Sequence, residues 1–397
     1  MAALTSVAFG ARSRRVLFCA RPAFGHVYPL IPLALAARAA GHDVSFASAG
    51  TFVARLQALG FPTFDVGMTL AEAYEALLGD DTAKMPRGDD GRPDPEMGGR
   101  FFIDVMARAT AADLVPLLAE NRPDVVVYEH YDLGAAVAAR RAGLRAVCTA
   151  ISPRPPRDLL EVFCGDRLDR LWAAHSVSPG GFDVFTGDVY LDIFPDVLQP
   201  QVIDDPARVR MRSVPFAEPG VTVPSWVGQR TRPLIYLTLG TIVATDEVLQ
   251  PAIDGLSTID ADLLVALGSA DGSGLGRLPD NVHVESFVDQ PKVLNHADLV
   301  VHHGGSGTIL AALAAGTPQL LLPKGADQFY NADAMAAAGL ATVLEPRDAT
   351  ADAVATLAKV ALEDDHPAVE ATRAELAALS HPADVLDVLQ PADGAAR

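Results

Sequence analysis

Short apolar runs alternate with longer amphipathic stretches along the opening of the chain. The short runs are residues 16–20, 44–47 and 61–65, and the stretches between them end at Gly41 and Gly60. Runs that are apolar throughout are typical of strands buried on both faces of a sheet. Strands that alternate with helices at this spacing predict a doubly wound parallel sheet.

The same alternation returns in the second half of the chain, after a segment rich in proline and glycine. The apolar runs there are residues 234–241, 263–267, 282–285 and 299–301. A chain of 397 residues also exceeds what one hydrophobic core usually fills. The pattern therefore predicts an α/β protein with two domains.

The predicted domain bounds follow from this change in composition. We expect a first domain at residues 1–214, a linker at 215–232, a second domain at 233–380 and a tail at 381–397 that packs back on the first domain.

The composition narrows the kinds of partner. The formal charge is −19, which argues against nucleic acid or an anionic membrane as a partner. No apolar run reaches the roughly 18 residues of a membrane helix, and residues 1–15 lack the core of a signal peptide, so we expect a cytoplasmic protein. Cys19, Cys148 and Cys164 lack metal-ligand spacing and are expected to be thiols, of which Cys19 and Cys148 stand in apolar runs and should be buried.

Residues 298–319 hold the most informative stretch of the sequence. An apolar run leads into His302 and His303 and a glycine-rich turn, which opens an Ala/Leu helix that ends at Gly316. A helix that opens in this way offers unpaired amides and the positive end of its dipole. This predicts a phosphate site, although a purely structural turn would show the same pattern. A hydrolase elbow would need glycine where Thr308 stands.

Several motifs together resemble those of family-one glycosyltransferases with the GT-B fold. They are His-His-Gly-Gly-Ser-Gly-Thr at 302–308, Gly-Thr-Pro-Gln at 316–319, Asp-Gln at 327–328 and Gly-His-Val-Tyr-Pro-Leu at 25–30. The resemblance covers nearly the whole chain and is strongest to the calicheamicin (enediyne) sugar transferases of actinomycetes. It implies two Rossmann-like domains that face each other across a cleft, with an acceptor bound by the first and a nucleotide sugar by the second.

The resemblance also implies roles for individual residues. His302 would contact the donor diphosphate, Phe287 would stack on the base in place of the family's tryptophan, and Asp327 and Gln328 would bind the sugar hydroxyls. Asp289 departs from the family's usual proline. The implied substrate-binding residues are Gly25, Thr241, Phe287, Val288, Gln290, His302, Gly304, Ser306, Gly307, Thr308, Asp327 and Gln328.

One departure from the family pattern bears on the nucleotide. Transferases of this family that use UDP-sugars carry a carboxylate eight residues after the signature histidine, where it holds the ribose hydroxyls. Counted from His302, that position is Leu310. A nucleotide sugar that lacks the 2′-hydroxyl does not need this carboxylate, because it has no hydroxyl there that would be buried without a hydrogen bond. The resemblance therefore implies a dTDP-sugar, with a UDP-sugar as the alternative.

His26 is the candidate general base, because imidazole titrates near neutrality and can take the proton of an acceptor hydroxyl. The family has an Asp at the end of the fourth strand, so the resemblance implies Glu129 as the carboxylate partner of His26, with Asp132 as the fallback. His26 could also be a plain helix-start residue, and Glu129 a solvated charge at a strand end.

The predicted reaction is an inverting O-glycosyl transfer to a hydrophobic polyketide, enediyne or aromatic aglycone, without metal or other cofactor. Residues 69–99, either a loop over the site or disordered surface, and the irregular residues 152–204 would shape the acceptor pocket. We expect a monomer or homodimer. A non-catalytic sugar-nucleotide-binding protein and a sugar 2-epimerase are the alternatives of other classes.

Overall fold

The computed structural model describes residues 13–79, 92–240, 246–268, 272 and 275–390. Thirteen strands form two sheets within these ranges. The first sheet contains β1 (Arg15–Cys19), β2 (Asp43–Ser48), β3 (Thr63–Asp65), β4 (Val125–Glu129), β5 (Arg145–Thr149), β6 (Val189–Asp192) and β7 (Arg208–Arg210). The second contains β8 (Leu234–Thr238), β9 (Asp262–Ala266), β10 (Val282–Glu285), β11 (Leu299–His302), β12 (Gln319–Leu321) and β13 (Thr342–Val343).

Helices alternate with these strands. Those of the first half are α1 (Phe24–Val27), α2 (Ile31–Ala39), α3 (Thr51–Ala58), α4 (Leu70–Leu78), α5 (Pro95–Gly99), α6 (Arg108–Asn121), α7 (Leu133–Arg141), α8 (Arg157–Cys164) and α9 (Arg167–Ala174). Those of the second half are α10 (Asp246–Leu256), α11 (Gln290–Leu294), α12 (Ser306–Ala315), α13 (Gln328–Ala337), α14 (Ala351–Glu363) and α15 (Pro367–Ala378).

Both sheets are doubly wound. Their strand orders are β3-β2-β1-β4-β5-β6-β7 and β10-β9-β8-β11-β12-β13, and every strand pair is parallel. β4 illustrates why: its residues Val-Val-Val-Tyr-Glu are all buried, as expected for a parallel strand covered by helices on both faces. The predicted α/β fold with two doubly wound domains is confirmed.

Two segments are more regular than the sequence suggested. Residues 152–204 were expected to be irregular, but they contain α8, α9 and β6. Prolines mark the boundaries of these short elements, and the hydrophobic side of α8 and α9 is buried in the core. Within residues 69–99, Thr69 caps α4 through a capping box with Glu72, and Asp94 caps α5. Residues 80–91 lie outside the described ranges.

The end of the described chain returns to the first half. Short helical turns at Pro382–Asp384 and Leu386–Leu389 pack near α2, where Val388 and Leu389 join the core of the first sheet. Arg14 donates a hydrogen bond to Gln390 at 3.2 Å. The position of residues 391–397 lies outside the described ranges, and the predicted domain bounds stay a prediction.

Candidate active site

The centre of the first sheet is the point at which its strand order reverses. β1 and β4 are neighbours there, and the chain runs outward from them in opposite directions. A crevice opens beyond the carboxyl ends of two such strands, and ligands bind there in open α/β sheets. Arg21 and His26 follow the end of β1, and Glu129 is the last residue of β4. The topology thus brings these three side chains together.

A buried carboxylate organises this edge. Glu129 is inaccessible to solvent, and its Oε1 lies 2.9 Å from His26 Nδ1 and 3.1 Å from Arg21 Nε. Its Oε2 accepts a hydrogen bond from the Tyr131 amide at 2.7 Å. The His26 side chain keeps 21% of its surface exposed. One face of the imidazole is therefore anchored on Glu129 while the ring still reaches the cleft.

The neighbours of Glu129 keep it ionised. Burial by itself would raise the pKa of this carboxyl, but the positive charges of His26 and Arg21 and the hydrogen bond from His26 outweigh that effect. The pKa of Glu129 consequently lies well below its ordinary value. The carboxylate can therefore orient His26 and stabilise a charge on it.

Asp132, the fallback partner, has a different task. Its side chain caps α7 by accepting a hydrogen bond from the Ala135 amide at 3.4 Å, and it forms no contact with His26. Burial and then the charge of Glu129 raise the pKa of Asp132 to about 7. Glu129 is accordingly the carboxylate that the structure places on His26.

The second sheet has an equivalent centre between β8 and β11. β11 ends at His302 and is followed by Gly304, whose φ of +86° is a left-handed conformation that favours glycine. Gly305 then precedes α12, and no side chain of the described residues caps this end of the helix. Ser306 and Gly307 form its first turn, so their amides face outward at the positive end of the dipole.

His302, the predicted contact of the diphosphate, lies at the end of β11 rather than in the turn. That ring is fully buried beneath the turn, where Nε2 lies 2.9 Å from Gln319 Oε1 and Nδ1 accepts a hydrogen bond from the Gly304 amide. Both ring nitrogens of His302 thus have partners within the protein, because the residue ends a buried strand. Its contact with the diphosphate stays a prediction.

His303 is the histidine at the lip of the turn. It is half-buried and lies against the backbone of Gly240 and Gly305, and its Nδ1 has no hydrogen-bond partner among the described residues. Burial and then the charge of Lys324 lower the pKa of His303 to about 4. Its imidazole is therefore neutral at physiological pH, and it forms a hydrogen bond with the backbone of Thr238.

The position eight residues after His303 is Ala311, and the position eight residues after His302 is Leu310. Both side chains are buried in α12, with 4% and 2% of their surface exposed. Neither position carries the carboxylate that would bind the ribose hydroxyls of a UDP-sugar.

Asn331 joins the turn to the start of α13. Its side-chain nitrogen lies 3.0 Å from Gly304 O, Ser306 Oγ and Asp327 Oδ2. Ser306 Oγ in turn donates to Asp327 Oδ2 at 3.3 Å. The side chain of Gln328 accepts hydrogen bonds from the amides of residues 324 and 325, which fixes the loop before α13. Sequence reasoning named Ser306, Asp327 and Gln328 but missed Asn331.

The remaining predicted donor residues lie around this turn. Gln290 begins α11, and its side-chain amide donates a hydrogen bond to Thr308 Oγ1 at 3.3 Å, which joins α11 to the first turn of α12. Val288 is buried in the core, whereas Phe287 is 46% exposed. Asp289, which replaces the family's proline, caps α11. Thr241 lies outside the described residues.

Contacts at several places join the two halves. The ring of Phe24 in α1 lies 6.3 Å from that of Phe287, centroid to centroid. Arg92 forms an ion pair with Asp333 of α13. The charge of His26 acts on Asp327. The His26 edge of the first sheet therefore faces the glycine-rich turn of the second, and Gly25 stands in open space beside it.

Comparisons with known proteins fit this geometry. Sequence profiles of the erythromycin biosynthesis protein CIII-like N-terminal and C-terminal domains match residues 35–240 and 250–391. The chain belongs to this family. Its members named below are glycosyltransferases, and this chain is a glycosyltransferase related to those of actinomycete antibiotic pathways.

Two curated relatives each share 32% identity with it. The elloramycin glycosyltransferase of Streptomyces olivaceus aligns over 96% of this chain and 98% of its own. The L-demethylnoviosyl transferase of Streptomyces niveus aligns over 82% and 83%. Among solved structures, the Streptomyces sp. SF2575 glycosyltransferase SsfS6 complexed with thymidine diphosphate superimposes with a TM-score of 0.78 at 26% identity, over 95% of this chain and 99% of its own.

An aromatic cluster borders the His26 edge of this glycosyltransferase. Phe102 and Tyr131 are half-buried and stacked at 5.7 Å, and Phe163 lies 5.9 Å from Phe102. Phe185 closes the cluster from beneath, 6.3 Å from Tyr131. These rings come from four separate segments, so sequence motifs did not reveal them.

Two charged residues were also missed. Arg21 contacts Glu129, and Arg92 reaches across to α13; neither belongs to a motif. Among the residues that the structure describes, no three His, Cys, Asp or Glu side chains gather where they could hold a metal ion. No helix in the described ranges is both long enough and apolar enough to cross a bilayer.

Proposed function

We propose that this glycosyltransferase moves a deoxysugar from a dTDP-sugar to a hydroxyl of a hydrophobic natural product, with inversion at the anomeric carbon. The observation that carries the proposal is the 2.9 Å contact between His26 Nδ1 and the buried Glu129, at an edge that faces the glycine-rich turn of the second sheet.

His26 acts as the general base. Because Nδ1 is held by Glu129, Nε2 is the nitrogen that accepts the proton of the acceptor hydroxyl. The acceptor oxygen then forms a bond to the anomeric carbon while the bond to the diphosphate oxygen breaks. The two events occur on opposite faces of the carbon, so its configuration inverts. The ionised Glu129 stabilises the imidazolium that results.

The turn before α12 receives the departing diphosphate. The amides of Ser306 and Gly307 and the positive end of the helix dipole stabilise its charge. Asp327 and Gln328 stand where they can bind hydroxyls of the sugar. We propose that this set of donors suffices without a metal ion.

The nucleotide is thymidine diphosphate in this proposal. Neither Leu310 nor Ala311 offers a carboxylate for a 2′-hydroxyl, and two similar structures carry thymidine diphosphate, SsfS6 and VinC. The exposed ring of Phe287 stacks on the base. A UDP-sugar is the alternative donor.

The acceptor is a hydrophobic aglycone that lies against the aromatic cluster of Phe102, Tyr131, Phe163 and Phe185. An enediyne or an aromatic polyketide would suit such a surface. The particular likeness to enediyne transferases, a cytoplasmic location and a monomeric or dimeric state stay predictions.

The test combines a substitution with a binding measurement. His26→Ala should lower kcat by about 10²–10⁴-fold, because general-base catalysis contributes on that scale, while thymidine diphosphate binds as to the wild type. Calorimetry should show tighter binding of thymidine diphosphate than of uridine diphosphate. Near wild-type turnover in the variant would remove His26 as the base.

The products distinguish the alternatives. Nucleotide binding without turnover on a panel of aglycones would favour a binding protein. Rearrangement of the sugar on its nucleotide, without an acceptor, would favour an epimerase.

A further inference from the structure

We propose that Arg21 is a positioning residue of the reaction, which balances the charge of Glu129 so that His26 remains free to accept a proton. The inference rests on the proposed function, since it takes His26 as the base.

The first step is the sharing of one oxygen atom. Arg21 Nε and His26 Nδ1 both contact Oε1 of Glu129, at 3.1 Å and 2.9 Å. The side chains of Arg21 and Glu129 are 2% and 0% exposed. Among the described residues, Arg21 is the only arginine or lysine that forms an ion pair with Glu129. Arg21, which is always charged, and His26, which can titrate, thus share the same buried carboxylate.

The second step follows from the cost of burying a charge. An anion inside a protein needs a counter-charge, because solvent cannot screen it. If His26 were the only partner, the imidazole would keep a proton to balance Glu129 and could not take another from the acceptor. The guanidinium is always charged and supplies that balance. His26 then need not carry a proton to balance Glu129, and Glu129 still stabilises the imidazole once it is protonated.

The third step is how Arg21 is held. Its guanidinium carbon lies 4.0 Å from the centre of the Phe102 ring and 5.7 Å from that of Tyr131. Its Nη2 is buried and has no hydrogen-bond partner within the part of the chain that the structure describes, and its Nη1 lies 4.0 Å from Met106 Sδ. Stacking on the aromatic cluster, rather than a second ion pair, therefore fixes the guanidinium against Glu129.

Other titratable groups lie near Arg21, His26 and Glu129. His130 and Asp132 follow Glu129 along the chain, and Asp327 faces His26 from the second domain. Burial lowers the pKa of His130 to about 3, so it adds no charge near neutral pH. The two aspartates can add negative charge only, which increases the need for Arg21.

The experiment measures the pH dependence of kcat in Arg21→Met and Arg21→Lys. In Arg21→Met, the rise of kcat with pH should move upward by about one unit or more, because a neighbouring charge shifts titrations on that scale. Arg21→Lys keeps the charge and should restore the wild-type position, even where the lost stacking lowers kcat. Arg55→Met is the matched control, since Arg55 also lies over an aromatic ring, Phe24, but pairs with Glu218.

A direct measurement accompanies the kinetics. The ring signal of His26, assigned by its loss in His26→Ala, should titrate at higher pH in Arg21→Met than in the wild type. The shift should vanish when Glu129→Gln is added, because no buried anion is then left to balance.

Several outcomes would overturn the proposal. One is a lower kcat in Arg21→Met with an unchanged pH profile and an unchanged His26 titration. Another is the same upward shift in Arg21→Met/Glu129→Gln. If melting curves show that Arg21→Met does not fold, Arg21→Lys decides: a shifted profile with the charge retained contradicts the proposed role.

The His26→Ala variant separates this inference from the proposed function. Full turnover in that variant would remove the base and both proposals together. An inactive His26→Ala beside an unshifted Arg21→Met would leave the proposed function standing and remove only the role of Arg21.

Discussion

The first sheet presents buried charges to the cleft, whereas the second presents backbone amides, hydroxyls and neutral imidazoles. Glu129 and Arg21 form an ion pair that is almost fully hidden from solvent. The corresponding place in the second sheet is the glycine-rich turn, whose neighbours His302 and His303 have pKa values lowered by burial to about 3 and about 4.

The difference matches the chemistry asked of each half. In the proposed reaction, the first half moves a proton, so it needs a group that titrates and a fixed charge that controls it. The second half would stabilise the negative charge of a leaving group, and preoriented dipoles do this without any change of protonation. Each prediction below tests one side of this contrast.

The largest expected effect concerns the carboxylate that holds His26. Glu129→Gln should lower kcat by about 10²–10⁴-fold, since the neutral amide cannot stabilise the imidazolium. Affinity for the donor nucleotide should not change, because Glu129 lies on the acceptor side. Steady-state kinetics and calorimetry measure the two quantities separately.

Asp132→Asn is the matched control for that substitution. Asparagine is as good a helix cap as aspartate, and Asp132 does not touch His26. The control should retain kcat within about threefold. Equal losses in Glu129→Gln and Asp132→Asn would mean that general electrostatics, rather than the His26 contact, governs the rate.

A smaller effect is expected from two glycines of the second half. A methyl group added at Gly307 would meet no protein atom within 4 Å, so Gly307→Ala should fold and melt like the wild type. If the diphosphate lies on the helix opening, the same methyl group obstructs it. Donor affinity should then fall by about tenfold, the equivalent of about 1.4 kcal/mol.

Gly304→Ala provides the contrast. Gly304 has a left-handed φ of +86°, and a methyl group there would lie 3.2 Å from Gln328 O. This variant should lose about 1–2 kcal/mol of unfolding free energy as well as donor affinity. A Gly307→Ala protein that binds thymidine diphosphate normally would place the diphosphate elsewhere.

The sequence predicted more of the site residues in the second half than in the first. A turn that needs a left-handed residue and a close backbone approach must carry glycine, so Gly304 and its neighbours leave a local signature. The sequence does not show whether the strand ends before or after His302. Burial, which depends on both neighbouring strands, leaves His302 inaccessible to solvent and His303 half-buried.

The first half leaves fewer local signs. His26 and Glu129 were found because they follow buried strands at a recognisable spacing. Arg21 and the aromatic cluster were not, since their roles depend on contacts between segments far apart in sequence. Two strands, β2 and β3, separate Arg21 from Phe102 in the chain, yet the guanidinium carbon lies 4.0 Å from the centre of the Phe102 ring. No periodicity in the sequence records such a contact.

The smallest expected effect is the pH dependence of donor binding, which should be nearly flat. His302 and His303 are protonated only below about pH 3 and pH 4, so neither carries a charge between pH 6 and pH 8. The bridged diphosphate of an intact dTDP-sugar stays ionised over that range. Calorimetry on the His26→Ala variant, which does not consume the donor, should give affinities within about twofold at pH 6 and pH 8. A histidine that gained charge at the phosphate would instead bind the donor more tightly at pH 6. A tenfold fall in affinity from pH 6 to pH 8 would therefore show that the second half also uses a titrating charge, and the contrast between the halves would be lost.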